Sequence, residues 1–423
     1  SFGDELVREG VSEYRIYCAP DAIPAELTAA EELQKFIEQI SGAKLSIIRT
    51  PDSPKIILVG QSERAQELLD FEDFSSLTSD EIILKTVGDS IIISGGRPRG
   101  TLYAAYEWLE KQGVRFFAPD ETLVPHKKTL QQIPINERYA PALNIREILY
   151  NQISDEVFAA RMRSNGHWQT ISPAYGGHNR ILGFCHTFDT FIPAKEFFAS
   201  KPEWFSLGGD KRIGGQQQGQ LCLSNREMRA EMLKRMAALL RQNPGENIIS
   251  LSQNDNANYC KCPECQALDS REGSPSASII NFVNSIAEEL QREFPDVIVE
   301  TLAYMYSRKP PATIRPRENT LIRLCAIEFD FSKPMAAPAN ARFIEELTRW
   351  QQIAPRVCIW NYTANYSNLR IPHPNLSHIG EDIKTFVAHH IDFLFQEGNH
   401  STRYGDMTEL RVFLLSKLMW NPA

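Results

Sequence analysis

Apolar residues recur every three to four positions through 24–42, where Leu27, Ala30, Leu33, Ile37 and Ile40 share one stripe and Gly42 supplies the stop. That spacing predicts a helix. The β-branched runs EYRIYCA (13–19) and KIILVG read as strands on either side of it. In EIILKTVGDSIIISGG, two short apolar runs flank Gly88-Asp89, the pattern of a hairpin with a two-residue turn. A second helix is expected over 100–111, ended by Gly113. Glycines 95, 96 and 100 match neither a dinucleotide nor a phosphate-loop spacing, so they read as a tight connection. These elements make a small α/β sandwich domain over 1–135.

The polar, proline-rich stretch VPHKKTLQQIPINERYAP (124–141) reads as a linker. Beyond it, apolar runs and amphipathic stretches alternate. Strands are predicted at 143–148, 166–169, 181–186, 248–253, 298–304, 321–328, 356–362 and 391–397. Helices are predicted near 155–163, 225–241, 276–294, 340–352, 378–389 and 406–419. Eight strands alternating with helices predict a (β/α)8 TIM barrel over 136–423. The glycine-rich EWFSLGGDKRIGGQQQGQLCL after the third strand is expected to add a hairpin over the barrel mouth.

Net charge is -8 with a sequence pI near 5.7, and no basic run is long enough to track phosphates, which argues against a nucleic-acid partner. Mean hydropathy is -0.32 and no apolar segment approaches the ~18 residues of a membrane span. The chain begins SFGDELVREG without a methionine, which points to export. Eight cysteines are too few for a disulfide scaffold in a chain of 423 residues.

In a barrel, chemistry gathers where strands end and the following loops begin. That rule selects Arg146, Glu147, His167, Trp168, His186, Asn254, Asp255, Tyr304, Glu328, Trp360, Tyr362 and Glu397. Carboxylates among aromatic rings suit a sugar, whose C–H faces stack on rings while polar groups read its hydroxyls. Glycosidic cleavage uses one carboxyl to protonate the leaving oxygen and another to attack or to activate water. Asp255 is assigned as general acid and Glu397 as base or nucleophile, with Glu328 competing for either place or holding Arg323 or Arg403. The substrate-binding set is Arg146, Trp168, His186, Asn254, Tyr304, Trp360, Tyr362 and Arg403. Glu147 is set aside because Arg146 offers it a local partner.

Cys260, Cys262 and Cys265 crowd into CKCPEC, directly after the loop carrying Asp255. Cys262 and Cys265 have zinc-knuckle spacing, and Cys222 or His186 would supply a fourth ligand. A structural zinc, a disulfide and free thiols all fit this spacing. No catalytic cofactor is expected.

The segments GGRPRGTLYAAYEWLEKQGVRFFAPDE, SQNDNANYCKCPEC, GSPSASIINFVNSIAEEL, IVETLAYMYSRKPP, IWNYTANYSN and FQEGNHSTRYGDMTELRVFLLSKLMWNP together resemble the DUF4838 family, common in Bacteroidetes. The resemblance implies an N-terminal domain similar to the non-catalytic α/β domain of hexosaminidases and α-glucuronidases, followed by a glycoside-hydrolase-like TIM barrel. It also implies export to the periplasm or cell surface and further C-terminal modules. By similarity to hexosaminidases an Asp-Glu pair would follow strand four; this sequence has Asn254-Asp255, which argues against substrate-assisted N-acetylhexosaminidase chemistry. Arg146, Arg323 and Arg403 leave room for a uronate. A glycoside hydrolase is the leading expectation. A non-catalytic glycan-binding protein, and a metal-dependent hydrolase or deacetylase using His167, His178 and His186, are the competing ones.

Overall fold

The fold, obtained as a computed structural model, describes residues 5–69 and 73–423. The chain divides into two compact units: Ser1–Asn179 with Leu369–Ile371 and Asn399–Ala423, and Arg180–Asn368 with Pro372–Gly398. The first unit therefore runs on past the expected boundary at 135/136.

The first unit contains β1 (Arg15–Cys18), α1 (Pro24–Ser41), β2 (Ile47–Ile48), β3 (Ile56–Val59), β4 (Ile82–Val87), β5 (Ser90–Gly95), α2 (Gly100–Lys111), β6 (Asn136–Tyr139) and β7 (Ile145–Leu149). Its six-stranded sheet has the order β6-β4-β5-β3-β1-β2. Val87 faces Ser90 across the Gly88-Asp89 turn, so the expected hairpin is present. Proline at its first position and Glu26, whose carboxylate takes the Ile23 N–H at 3.0 Å, start α1. Gly42 stops it in the left-handed conformation at φ 83°, its N–H closing on the Glu38 carbonyl. Tyr17, Leu58, Ile83 and Ile92 pack one face of the sheet.

Two readings of this region are corrected. The expected linker contributes β6, which pairs antiparallel with β4. Its sequence NERY is largely exposed, as a sheet-edge strand tolerates, so composition alone resembled a loop. Residues 166–169 form no strand. A side chain at Gly166 would place its Cβ 2.3 Å from Cβ of Glu147, so the backbone comes against Glu147 as a close-packed bend.

The second unit contains β8 (Ser206–Gly208) and β9 (Lys211–Ile213), the expected hairpin, then α3 (Arg226–Gln242), β10 (Ile248–Ser250), α4 (Pro263–Glu272) and α5 (Ser276–Glu293). It continues with β11 (Ile298–Ala303), β12 (Thr320–Cys325), α6 (Ala341–Ile353), β13 (Val357–Tyr362), α7 (Ile379–Ala388) and β14 (Phe393–Glu397). Strands β10 to β14 run parallel in chain order. Their near-continuous burial reflects helices covering a parallel sheet. Met228, Met232 and Met236 of α3 and Phe282, Val283 and Ile286 of α5 close over Ile249 and Val299. Beyond this unit the chain returns to the first with α8 (Thr408–Trp420), which packs on β7.

The third expected strand, 181–186, shrinks to one parallel bridge between Leu182 and Ile249. Gly183, Phe184 and His186 adopt φ of 82°, 60° and 52°, which no strand accommodates. The ladder stops at Leu182, and Thr187 re-anchors the chain by donating to the Ser250 carbonyl at 3.1 Å and accepting from Ser252 N–H at 2.9 Å.

Candidate functional site

The parallel strands of the second unit deliver side chains to a cavity of about 270 Å³ lined by His186, Asp255, Leu302, Tyr304, Cys325, Ile327, Trp360, Tyr362, Tyr366 and Glu397. Tyr304 follows directly on β11, Cys325 ends β12, Trp360 and Tyr362 share one face of β13, and Glu397 ends β14. The lining is thus built from the C-terminal ends of neighbouring strands, where parallel sheets place ligands.

Asp255 lies in the loop after β10, exposed, and accepts a hydrogen bond from the Tyr304 hydroxyl at 2.9 Å. Glu397 is largely buried and accepts from the Trp360 indole Nε1 at 2.7 Å. Burial pushes the Glu397 carboxyl above its ordinary range and the charge of Asp255 adds to this, while the Trp360 hydrogen bond and the nearby Tyr366 hydroxyl pull the other way. Neither carboxylate has a cationic partner in an ion pair among the described residues. The Tyr304 hydroxyl is held well above its usual range, first by burial and then by Asp255.

Trp360 and Tyr362 lie nearly parallel, ring centroids 6.3 Å apart and 23° between planes, giving the pocket an aromatic wall. Tyr366, on the loop after β13, donates to the Gly398 carbonyl at 2.6 Å. His186 keeps Nδ1 2.8 Å from the Gln253 carbonyl; with a carbonyl as partner Nδ1 is the donor, which leaves Nε2 facing away from that bond.

The loop bearing Asp255 is clamped from outside. Gln220 accepts from the Asn254 N–H at 2.9 Å and donates to the carbonyls of Asn254 and Asn256, both at 2.8 Å. Asn254 itself is 2% exposed, its amide spent on the Gly219 carbonyl and the Asp189 N–H. Expected to touch a ligand, it instead fixes the residue beside it.

Other expected residues lie elsewhere. Strand β12 ends at Cys325, before Glu328, and the turn that follows carries Glu328 to an ion pair with Arg308, which also binds Glu346 at 2.6 Å. Arg323 is fully buried, 3.0 Å from the equally buried Glu300, and sits over the rings of Phe184, Trp360 and Phe393. Burial raises the Glu300 carboxyl, with Arg323 opposing. In the first unit, Arg146 binds Asp80 inside the core and stacks on Tyr103 and Trp420, and Arg403 pairs with Asp120. Trp168, 47% exposed, lies edge-on to His400 5.6 Å away, and its backbone N–H donates to the Glu147 carboxylate. All three arginines expected for a uronate are thus committed to carboxylates of their own units.

Leu302, Cys325, Ile327 and Tyr366 were not singled out in the sequence. The Glu300–Arg323 pair had a signal: opposite charges inside adjacent apolar strands, IVETLAY and LIRLC.

Cys222 joins Cys260, Cys262 and Cys265 in a buried cluster whose sulfur atoms all lie within 4.8 Å of one another. It is the one group of three or more cysteine, histidine or acidic ligands found among the described residues. His178, named for a metal-dependent alternative, engages the main chain of Ile171. No described helix is long and apolar enough to cross a membrane.

The family described as "Domain of unknown function (DUF4838)" matches residues 116–423. The "Glycosyl hydrolase family 67 N-terminus" matches residues 11–108. Two proteins named "Probable alpha-glucuronidase A", from Aspergillus oryzae and Aspergillus flavus, are each 38% identical over 84 residues, which is 19% of this chain. The chain spans about 10% of the length of these relatives. A solved family GH115 4-O-methyl-α-glucuronidase with specificity for decorated arabinogalactans superposes over 99% of this chain and 57% of its own, with a TM-score of 0.62 and 13% identity. That likeness is one of fold.

Proposed function

Because the chain belongs to the DUF4838 family, and because Asp255 and Glu397 line one aromatic pocket and neither enters an ion pair among the described residues, we propose that it is a glycoside hydrolase acting on a uronic-acid-containing glycan. The carboxyl pair carries this reading, and a barrel completed around the curled sheet β10–β14 is the frame we infer for it.

The roles follow from environment. A buried carboxyl whose proton is held more tightly than usual is suited to donate it, and an open carboxylate to accept one. In this reading Glu397 protonates the glycosidic oxygen as the bond to the anomeric carbon breaks. Asp255 either takes a proton from the water that adds to that carbon or attacks it directly. Where Asp255 takes the proton, water's hydroxyl ends on the anomeric carbon and exchange with solvent clears Asp255 and reloads Glu397; where Asp255 attacks, water that gives its proton back to Glu397 then displaces Asp255, breaking the glycosyl–ester bond. This exchanges the assignment expected from sequence, because Glu397 is the more buried member of the pair.

The Trp360–Tyr362 wall suits the C–H face of a sugar, and the hydroxyl oxygens of Tyr304 and Tyr366 and Nε2 of His186 offer contacts to its hydroxyls. At about 270 Å³ the cavity is just below the ~300 Å³ lower end of small-ligand pockets, which favours one sugar residue over a long chain segment. The likeness over 84 residues to proteins named probable α-glucuronidase, and the likeness of fold to a 4-O-methyl-α-glucuronidase, support a uronate.

The test is a panel of defined glycans with and without terminal uronate, read by product size and by the monosaccharide released. Uronate release that disappears in Glu397→Gln supports the reading. Turnover of neutral glycans alone removes the uronate, and binding without turnover removes the hydrolase.

A further inference from the structure

We propose that Cys222, Cys260, Cys262 and Cys265 bind one structural zinc ion. Four thiolates around zinc at ~2.3 Å put neighbouring sulfurs ~3.8 Å apart. The Sγ atoms of Cys222 and Cys262 stand 3.6 Å apart, and all four sulfurs fall within 4.8 Å of one another. Such spacing is far beyond the ~2.05 Å of a disulfide and matches the edges of a tetrathiolate tetrahedron.

The backbone prepares the cluster. Cys262 and Cys265 bracket the first turn of α4, Cys260 lies two residues earlier, and Cys222 reaches in from the segment before α3. The sulfurs are also supplied with donors, as buried thiolates require. Leu207 N–H points at Cys260 at 3.4 Å and an Arg212 guanidinium N–H at 3.9 Å. The Ser224 hydroxyl lies 3.3 Å from Cys222, 3.5 Å from Cys262 and 3.4 Å from Cys265. An all-thiolate tetrahedron is soft and closed, which selects zinc and leaves no position for substrate.

The ion would join three elements. Leu207 of the β8–β9 hairpin accepts from the Lys261 N–H at 2.9 Å inside the cluster loop, α4 begins on it, and Asp255 stands a few residues before it. The assignment is independent of the proposed hydrolysis.

The whole chain, purified without added metal and dialysed, should carry stoichiometric zinc by plasma emission. After chelation, Co²⁺ should restore thiolate-to-cobalt charge transfer and the intense visible bands of a tetrahedral tetrathiolate. Cys222→Ser and Cys265→Ser should lose most of the zinc, while Cys18→Ala should keep it. Should the variants fail to fold, the cobalt spectrum of the unaltered chain decides alone. Metal-free protein with no cobalt spectrum, stoichiometric iron in place of zinc, or disulfide-linked cluster peptides under non-reducing mapping would each overturn the proposal.

Discussion

The indole of Trp360 and the carboxylate of Glu397 meet at 2.7 Å across the β13–β14 ladder, where Tyr362 and Glu397 are register partners. Sheet pairing therefore sets the distance, and the donor arrives on a strand rather than on a mobile loop. The bond opposes the burial that raises the Glu397 carboxyl.

Removing that donor should move the carboxyl further up. In Trp360→Phe, the alkaline limb of the kcat/KM profile should shift to higher pH, because Glu397 keeps its proton longer. An unshifted limb in an active variant would separate Glu397 from the titrating acid.

Glu397→Gln should reduce hydrolysis by roughly 10²–10⁴-fold while glycan binding persists, the range expected for loss of a general acid. Stability should move the opposite way. A raised folded pKa means the folded chain binds more protons than the unfolded one between the two values, so the wild type loses stability as pH rises through the folded pKa. The glutamine variant lacks that loss and should unfold at equal or higher denaturant concentration at neutral pH.

Tyr304→Phe should leave Asp255 without its donor but keep the ring in place. A fall in kcat of about tenfold with little change in KM is expected, on the order of one lost hydrogen bond to a charged group. Equal activity would show that Tyr304 only lines the pocket.

The Glu300–Arg323 pair predicts a non-additive result. Arg323→Met leaves a buried carboxylate alone and should cost about 3–5 kcal/mol in chemical unfolding, whereas adding Glu300→Leu should recover most of it. Additive losses in the double variant would contradict the pairing.

Acid should loosen a different contact. The Glu272 carboxylate accepts from Thr313 N–H and hydroxyl and from Ile314 N–H, which lowers its pKa to about 2. Its contribution is complete above the ordinary glutamate range and is lost as pH falls towards about 2. Glu272→Gln should reduce stability at neutral pH and flatten this acid-side slope, read by denaturant midpoints across pH.

Much of this was legible in the sequence. The helical stripes announced α1, α3, α5, α6, α7 and α8, since 3.6-residue periodicity survives any tertiary arrangement. Placing chemistry at strand ends selected Asp255, Glu397, Tyr304, Trp360 and Tyr362, which all line the pocket; His186 lines it too, although the strand expected to carry it is a single bridge. The rule failed where a strand's end was misjudged: β12 stops at Cys325, and Glu328 follows the turn to Arg308. It could not reach Tyr366, which arrives on a loop. Residues 181–186 look like a strand by composition, but positive φ at Gly183, Phe184 and His186 is a property of how the segment is held. The arginines drew attention as anion binders, yet Asp80, Glu300 and Asp120 had prior claim on them; the Arg146–Asp80 and Arg403–Asp120 pairings join residues remote in sequence, whereas Glu300 and Arg323 sit on adjacent strands and could have been matched.

The Gln220 amide grips Asn254 and Asn256 on both sides of Asp255 without entering the pocket. The aim of the Asp255 side chain is thereby inherited from an insertion more than thirty residues upstream. Trimming or redesigning that insertion would retune the pocket as surely as editing its walls, and any relative with a shorter segment there must brace its acidic loop by other means.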